Sequence, residues 1–440
     1  MDVRSHFEGK KITVLGLGLL GRGVGDTRFL ASQGAELIVT DLKSAEQLAP
    51  SLELLKDFPN ITYRLGEHVL DDFDGRDFIL KSAGVPDPSP YLDRARAQDT
   101  PIKMSASWFL ELAGISSVGI TGTRGKSTVT HMVHSILEQA GLPVVLGGNV
   151  RGVSTLALLE TITPDDIAVL ELDSWQCQGF GEENISPDVA VFTTFFPDHL
   201  NYYKDNEDKY LADKANIFLN QKPEDTLVLG AQCAELIEEK YKDRIPSYVV
   251  TAGAHDLRAD WELLIPGEHN RYNAALAVET ARALSIDDED IREALASFKG
   301  VPGRLEFLRE INGVKYYNDT TATTPEATIV ALEALDPEGK GNIVLIMGGA
   351  DKGLNMHALL EVLPKYTKRV LMLAGTGTNR IHGDVQNVSI FDSLESAFEE
   401  ASRFAVSGDT VVLSPAFASF GMFKNEYDRG DQFNALVKNL

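Results

Sequence analysis

Cysteine is scarce in this 440-residue chain: Cys177 and Cys233 are the only two. Two cysteines make no disulfide framework, which excludes a small stapled secreted scaffold and points to a reducing compartment. Basic residues are also in deficit, 41 Lys and Arg against 65 Asp and Glu, a formal net charge of -24. A surface of that sign repels nucleic acid and anionic membrane, so neither is an expected partner. No run of about eighteen apolar residues occurs, as a membrane-spanning helix needs. The opening MDVRSHFEGKK is polar and lacks an apolar signal-peptide core, and a cytoplasmic location is the expectation. Internal repeats and low-complexity tracts are absent too.

What remains is an ordinary globular composition, 43% hydrophobic and 24% charged with 37 glycines, which leans towards α/β. The chain is too long for one ordinary core, so two or three domains are expected. Three α/β blocks follow one another. The first opens with strand KITVLGLG, a Gly-rich turn, a helix and strand AELIVTD, a βαβ unit, and runs to about residue 104. The second, 105–300, holds near-continuous apolar strands at 116–122, 167–172 and 188–195, the pattern of a parallel sheet covered on both faces. After VPG (Val301 to Gly303), which reads as a hinge, the third block, 301–440, alternates strands and helices again.

Two glycine-rich loops imply phosphate ligands. GLGLLG (Gly16 to Gly21) follows a strand, and Asp41 ends the next one. The glycines let backbone approach a diphosphate at a helix N-terminus, and the acid can accept a hydrogen bond from a ribose or base. NAD and another nucleoside diphosphate satisfy this equally, so an NAD-dependent oxidoreductase stays open here. The second loop is TGTRGKST, Thr121 to Thr128, shorter than the usual Walker spacing. Gly122, Thr123 and Gly125 would cradle phosphate, Lys126 would reach the β and γ oxygens, and Ser127 or Thr128 would hold Mg²⁺. A dehydrogenase has little use for a triphosphate loop. A ligase that activates a nucleotide-linked substrate with ATP uses both.

Glu171 and His199 lie at or just past the ends of neighbouring strands, where open α/β sheets bind ligands. In YLADKANIF, Lys214 occupies the position that completes the apolar stripe of Tyr210, Leu211, Ile217 and Phe218. One reading is a snorkelling side chain. The other is a desolvated amine that loses its proton, takes up CO₂ and becomes a carbamate able to ligate a hard metal.

Taken together, TGTRGKST, ELDSWQ, DHLNYY with Lys214, GEHNRYNA, GRLE with NDTTAT, GGADKG and SPAFASFGMFKN resemble the Mur ligases of bacterial cell-wall synthesis, most closely the glutamate-adding branch. The resemblance covers essentially the whole chain. It implies an N-terminal Rossmann-like domain (1–104) for a UDP-sugar, a central P-loop ATPase-type domain (105–300), and a C-terminal Rossmann-like domain (301–440) that closes over the site and binds the amino acid. The implied reaction is ATP-dependent addition of D-glutamate to UDP-MurNAc-L-Ala through an acyl phosphate, by a monomer. By the same likeness Gly18, Leu19, Leu20 and Asp41 contact uridine, Ser82, Ala83 and Gly84 lie near the diphosphate, and Asn149 meets the acyl end. Lys126 and Ser127 hold ATP and the first of two Mg²⁺ ions with Glu171. His199 and carbamylated Lys214 hold the second. Asn273, Arg304 and Asp319 bind ATP, and Thr323, Lys352, Ser419 and Phe420 face the glutamate. Three positions depart from the family pattern: Thr321 replaces a lysine, Arg124 an asparagine, and Glu426 an aromatic residue. They bear on the identity of the added amino acid, with L-glutamate or another residue as the alternative.

Overall fold

The computed structural model describes residues 3–19 and 21–440, with backbone alone at 200 and 201. Backbone contacts divide the chain into two compact units. The first is Met1–Arg258 with Tyr272–Ala294, and the second is Ala259–Arg271 with Leu295–Leu440.

Among the described residues the first unit carries two sheets, both wholly parallel. Strands β1 (Lys11–Leu15), β2 (Glu36–Asp41), β3 (Ile61–Leu65), β4 (Phe78–Lys81) and β5 (Ile102–Lys103) pair in the order β3-β2-β1-β4-β5. Strands β6 (Ser116–Thr121), β7 (Val144–Gly148), β8 (Ile167–Glu171), β9 (Val189–Phe192), β10 (Thr226–Gly230) and β11 (Tyr248–Ala252) pair in the order β11-β10-β9-β6-β8-β7. One apolar cluster runs beneath both sheets and includes Phe7, Phe29, Trp108, Phe192 and Phe218.

The helices between these strands form where the sequence supplies one apolar face. In Lys126–Gln139, Val129, Met132, Val133, Ile136 and Leu137 are wholly buried. Gly141, with φ 73, ends that helix in the left-handed region that glycine favours. The helix Glu207–Leu219 starts at Asn206, whose side chain accepts from Lys209 N at 3.0 Å. Its buried face is Tyr210, Leu211, Lys214, Ala215, Ile217 and Phe218.

The second unit holds one mixed sheet. Strands β12 (Glu306–Ile311), β13 (Val314–Asn318), β14 (Ile343–Gly348), β15 (Thr367–Leu373), β16 (Val388–Phe391) and β17 (Thr410–Leu413) pair in the order β12-β13-β17-β14-β15-β16. Only the edge pair β12–β13 is antiparallel. The VPG segment forms a tight turn, with Val301 bridged to Arg304 and Arg304 N donating to Val301 O at 2.9 Å. Among the described residues no helix is long and apolar enough to cross a membrane.

Candidate active site

The order of the second sheet sets β6 between β8 and β9, so the residues that follow these three strands share one rim. The phosphate loop leaves β6 at that rim. Gly122 has φ 137, and a Cβ there would lie 2.0 Å from Thr193 Oγ1, so only glycine fits. Gly125, at φ 89, caps the helix Lys126–Gln139, and a Cβ on it would stand 2.5 Å from Asn273 Oδ1. Asn273 therefore abuts the loop although it is 148 residues away in sequence (273 minus 125). Lys126 Nζ folds back onto Gly122 O at 3.0 Å and Thr123 O at 3.2 Å. Ser127 and Thr128 sit in the first turn, where helix N–H groups are free for an anion.

Glu171 closes β8, with a register that pairs it with Ile120 on one side and Gly148 on the other. It is 4% exposed, and its Oε1 meets Asn149 Nδ2 at 3.5 Å. Asn149 is anchored by its own N–H on Glu171 O at 2.6 Å, and its Oδ1 accepts from Arg22 Nη1. His199 has φ 53, and its ring lies 4.6 Å from Trp175 and 6.1 Å from Tyr210.

Lys214 is 1% exposed. Its Nζ donates to Gly122 O at 2.8 Å and Thr121 Oγ1 at 3.3 Å, and lies 4.9 Å from the Tyr210 ring centroid. Burial, then the nearby positive charge of Lys126, pulls its ammonium down to about 7. The snorkelling alternative fails on geometry, because the amine ends inside the protein under the phosphate loop.

In the first sheet the Gly-rich turn is held from within. Asp41 Oδ2 accepts from Leu17 N and Gly18 N, both at 3.0 Å, and Oδ1 accepts from Lys43 N at 2.9 Å. The carboxylate thus braces the loop that the sequence pairs it with. Ser82 Oγ donates to Gly16 O, which brings the Ser82–Gly84 turn against the same loop. Leu19 is 52% exposed on that loop, and Leu20 lies outside the described residues.

The second unit gathers a separate set. Asp319, the residue after β13, accepts from Leu305 N at 3.0 Å and from Ser414 Oγ at 2.7 Å. Burial raises its carboxyl to about 7 against those bonds and the Arg304 charge. Lys352 Nζ donates to Thr323 Oγ1 at 2.9 Å. A bridge between Ala350 and Ala418 brings the Lys352 loop to the Ser419–Phe420 loop, where Ser419 is buried and Phe420 is exposed.

Residues 120–264 match the Mur ligase middle domain, and residues 303–417 match the Mur ligase glutamate ligase domain. The chain is 37% identical to the UDP-N-acetylmuramoylalanine–D-glutamate ligase of Roseiflexus sp. (strain RS-1), over 98% of this chain and 99% of that one. The chain belongs to the Mur ligase family. It is 35% identical to the ligase of the same name from Borreliella burgdorferi (strain ZS7), over 97% of each chain. Among solved structures it matches the UDP-N-acetylmuramate–alanine ligase MurC of Thermotoga maritima with a TM-score of 0.59 at 20% identity, covering 98% of this chain and 99% of that one.

Within this Mur ligase the sequence motifs fall into three groups. Gly122 to Thr128, Asn149, Glu171, Lys214 and Asn273 converge around the second sheet, with His199 against Trp175 on the same side. Gly18, Asp41 and Ser82 meet at the first sheet. Arg304, Asp319, Thr323, Lys352 and Ser419 belong to the second unit. Sequence reasoning missed Arg22 on Asn149 and Trp175 on His199. Trp175 had a signal, since it stands inside ELDSWQ. Arg22 had none, because its partner is 127 residues away.

The donor chemistry suits a hard divalent cation. Ser127 offers a hydroxyl and Glu171 a carboxylate whose long 3.5 Å contact with Asn149 leaves lone pairs uncommitted.

Proposed function

We propose that this Mur ligase joins D-glutamate to UDP-N-acetylmuramoyl-L-alanine at the expense of ATP, in the synthesis of peptidoglycan precursors. The observation that carries the reading is the phosphate loop with two lysines beneath it, in a chain that aligns end to end with ligases of that name. The reaction runs in two steps. An oxygen of the terminal carboxylate of the UDP substrate attacks the γ-phosphorus of ATP, an O–P bond forms, and ADP leaves. The amine of glutamate then attacks the acyl carbon, an N–C bond forms, the nitrogen gives up one proton, and the acyl C–O bond breaks as phosphate departs with the former carboxylate oxygen.

Lys126 and the N–H groups at the start of the helix Lys126–Gln139 stabilise the negative charge on the transferring phosphoryl group. Asn149 orients the acyl end of the UDP substrate. Asn273 with Arg304 and Asp319 binds the nucleotide. The Gly16–Gly21 turn and the Ser82–Gly84 turn hold uridine diphosphate, and Thr323, Lys352, Ser419 and Phe420 take the amino acid. Ser127, Glu171, His199 and Lys214 would hold two Mg²⁺ ions, which when bound offset phosphate charge. Lys214 serves as a carbamate: its neutral amine attacks CO₂, an N–C bond forms, and one proton leaves. A three-domain division at residues 104 and 300 belongs to the same reading, as does a monomer working in the cytoplasm, where ATP and UDP-sugars are made.

The test is phosphate release from ATP and Mg²⁺ in the presence of UDP-MurNAc-L-Ala, with D-glutamate or L-glutamate added. Release with D-glutamate alone is expected. Release with L-glutamate, or with neither, overturns the assignment of the amino acid.

A further inference from the structure

The second unit buries one cation that the proposed chemistry does not use. Arg429 is 0% exposed, in the helix Glu426–Lys438. Its guanidinium donates to Thr320 O at 2.8 Å, to Thr320 Oγ1 at 3.1 Å and to Phe417 O at 3.4 Å, all neutral acceptors. Among the described residues no carboxylate lies within salt-bridge distance of it. Its guanidinium carbon also lies 5.9 Å from the Phe423 ring centroid, and a fully buried cation held only by neutral groups is expensive to keep.

Its position is informative. The two segments it braces are the ones that carry the amino-acid residues of the proposed function. Thr320 is three residues before Thr323, and Phe417 is three residues before Phe420. Lys352, on Thr323, is a second cation, and Glu426, whose backbone oxygen accepts from Thr320 Oγ1, is the nearby acid. Burial lowers Arg429 to about 10, with Glu426 the charge that opposes the fall. Burial also lowers Lys352, and there Glu426 opposes while Arg429 adds. The charges that act on one another here are two cations, Arg429 and Lys352, and one carboxylate, Glu426, whereas the proposed amino acid brings two carboxylates. Thr321, next to this cluster, supplies no charge of its own.

We infer that Arg429 is a specificity-determining residue: without touching the substrate, it supplies the buried positive potential by which the Thr320–Thr323 and Phe417–Phe420 segments select a dicarboxylic amino acid. This rests on the amino-acid site of the proposed function. Arg429 bonds Thr320 O at 2.8 Å, and three further residues of chain put its guanidinium within roughly 14 Å of Thr323. At that range, with the effective dielectric of a protein near its surface, the charge changes affinity for an anion on the order of ten-fold.

The experiment compares the KM for D-glutamate with the inhibition constants of D-glutamine and D-isoglutamine, which each lack one carboxylate. The proteins are the parent, Arg429→Gln, Arg429→Lys and Glu426→Gln. Arg429→Gln should raise the KM for D-glutamate about ten-fold and leave the constant of at least one monocarboxylate analogue within two-fold. Arg429→Lys should retain most of the discrimination. Glu426→Gln removes the opposing acid and should lower the KM for D-glutamate. A bracing role alone would weaken all three ligands equally in Arg429→Gln, and that result overturns the inference. Where circular dichroism shows Arg429→Gln unfolded, Glu426→Gln decides: an unchanged KM for D-glutamate overturns the inference. A parent enzyme that does not turn over D-glutamate overturns the proposed function instead, so the two failures are separate.

Discussion

Lys126 and Lys214 donate to one acceptor, the carbonyl oxygen of Gly122, at 3.0 and 2.8 Å. One lysine comes from the phosphate loop and the other from a helix more than eighty residues later, yet they meet on the same peptide. Two ammonium groups so close repel, and the buried one yields its proton more readily. Burial is the first reason why Lys214 falls to about 7, and this repulsion adds to it.

Lys214→Ala should therefore lower ligase turnover by about a hundred-fold or more, the scale of lost transition-state stabilisation at a charged site. Added short carboxylates such as formate or acetate should restore part of the rate, by standing in for the carbamate. Turnover is measured by coupled phosphate release. Lys214→Met activity equal to the parent would return the residue to a packing role.

Gly122 tests the loop rather than the charges. Its φ of 137 and the 2.0 Å approach of a Cβ to Thr193 Oγ1 leave no room for a side chain. Gly122→Ala should destabilise the first unit by about 3 kcal/mol or more. A thermal unfolding scan should show a lower midpoint, and an unchanged midpoint would mean the loop adapts.

Asp319 predicts a pH dependence. Its carboxyl is raised by burial from the ordinary carboxylate range to about 7. The folded state then holds the proton where the unfolded state has already lost it. Between about pH 4 and pH 7 stability should fall as pH rises, with a slope from this group approaching about 1.4 kcal/mol per pH unit. Asp319→Asn should flatten that part of the profile relative to the parent in denaturation midpoints measured from pH 4 to pH 8. Parallel profiles for the two proteins would contradict it.

Much of this was legible in the sequence, for reasons that differ by element. The helix Lys126–Gln139 declares itself, because its apolar residues recur at one period and glycines bound it. β8 and β9 are short unbroken apolar runs, as buried parallel strands must be. β12 was hidden: EFLREI is half charged, and as an edge strand it needs only one covered face. β3, with alternating partial exposure in ITYRL, was hidden for the same reason. In the site, residues inside a motif were readable, whereas partnerships across the fold were not. Asp41 was legible as an acid twenty residues after the Gly-rich loop, but not as the brace for Leu17 and Gly18. Arg429 meets Thr320 across 109 residues, a contact that only the sheet order creates.

The most direct test of the ligase chemistry follows an oxygen atom. UDP-MurNAc-L-Ala labelled with ¹⁸O in its terminal carboxylate is incubated with the enzyme, ATP, Mg²⁺ and D-glutamate, and the released phosphate is analysed by mass spectrometry. An acyl phosphate requires one carboxylate oxygen to leave with the phosphate, so labelled phosphate should form, and only when D-glutamate is present. Unlabelled phosphate would mean that ATP is hydrolysed by water, and would contradict the account.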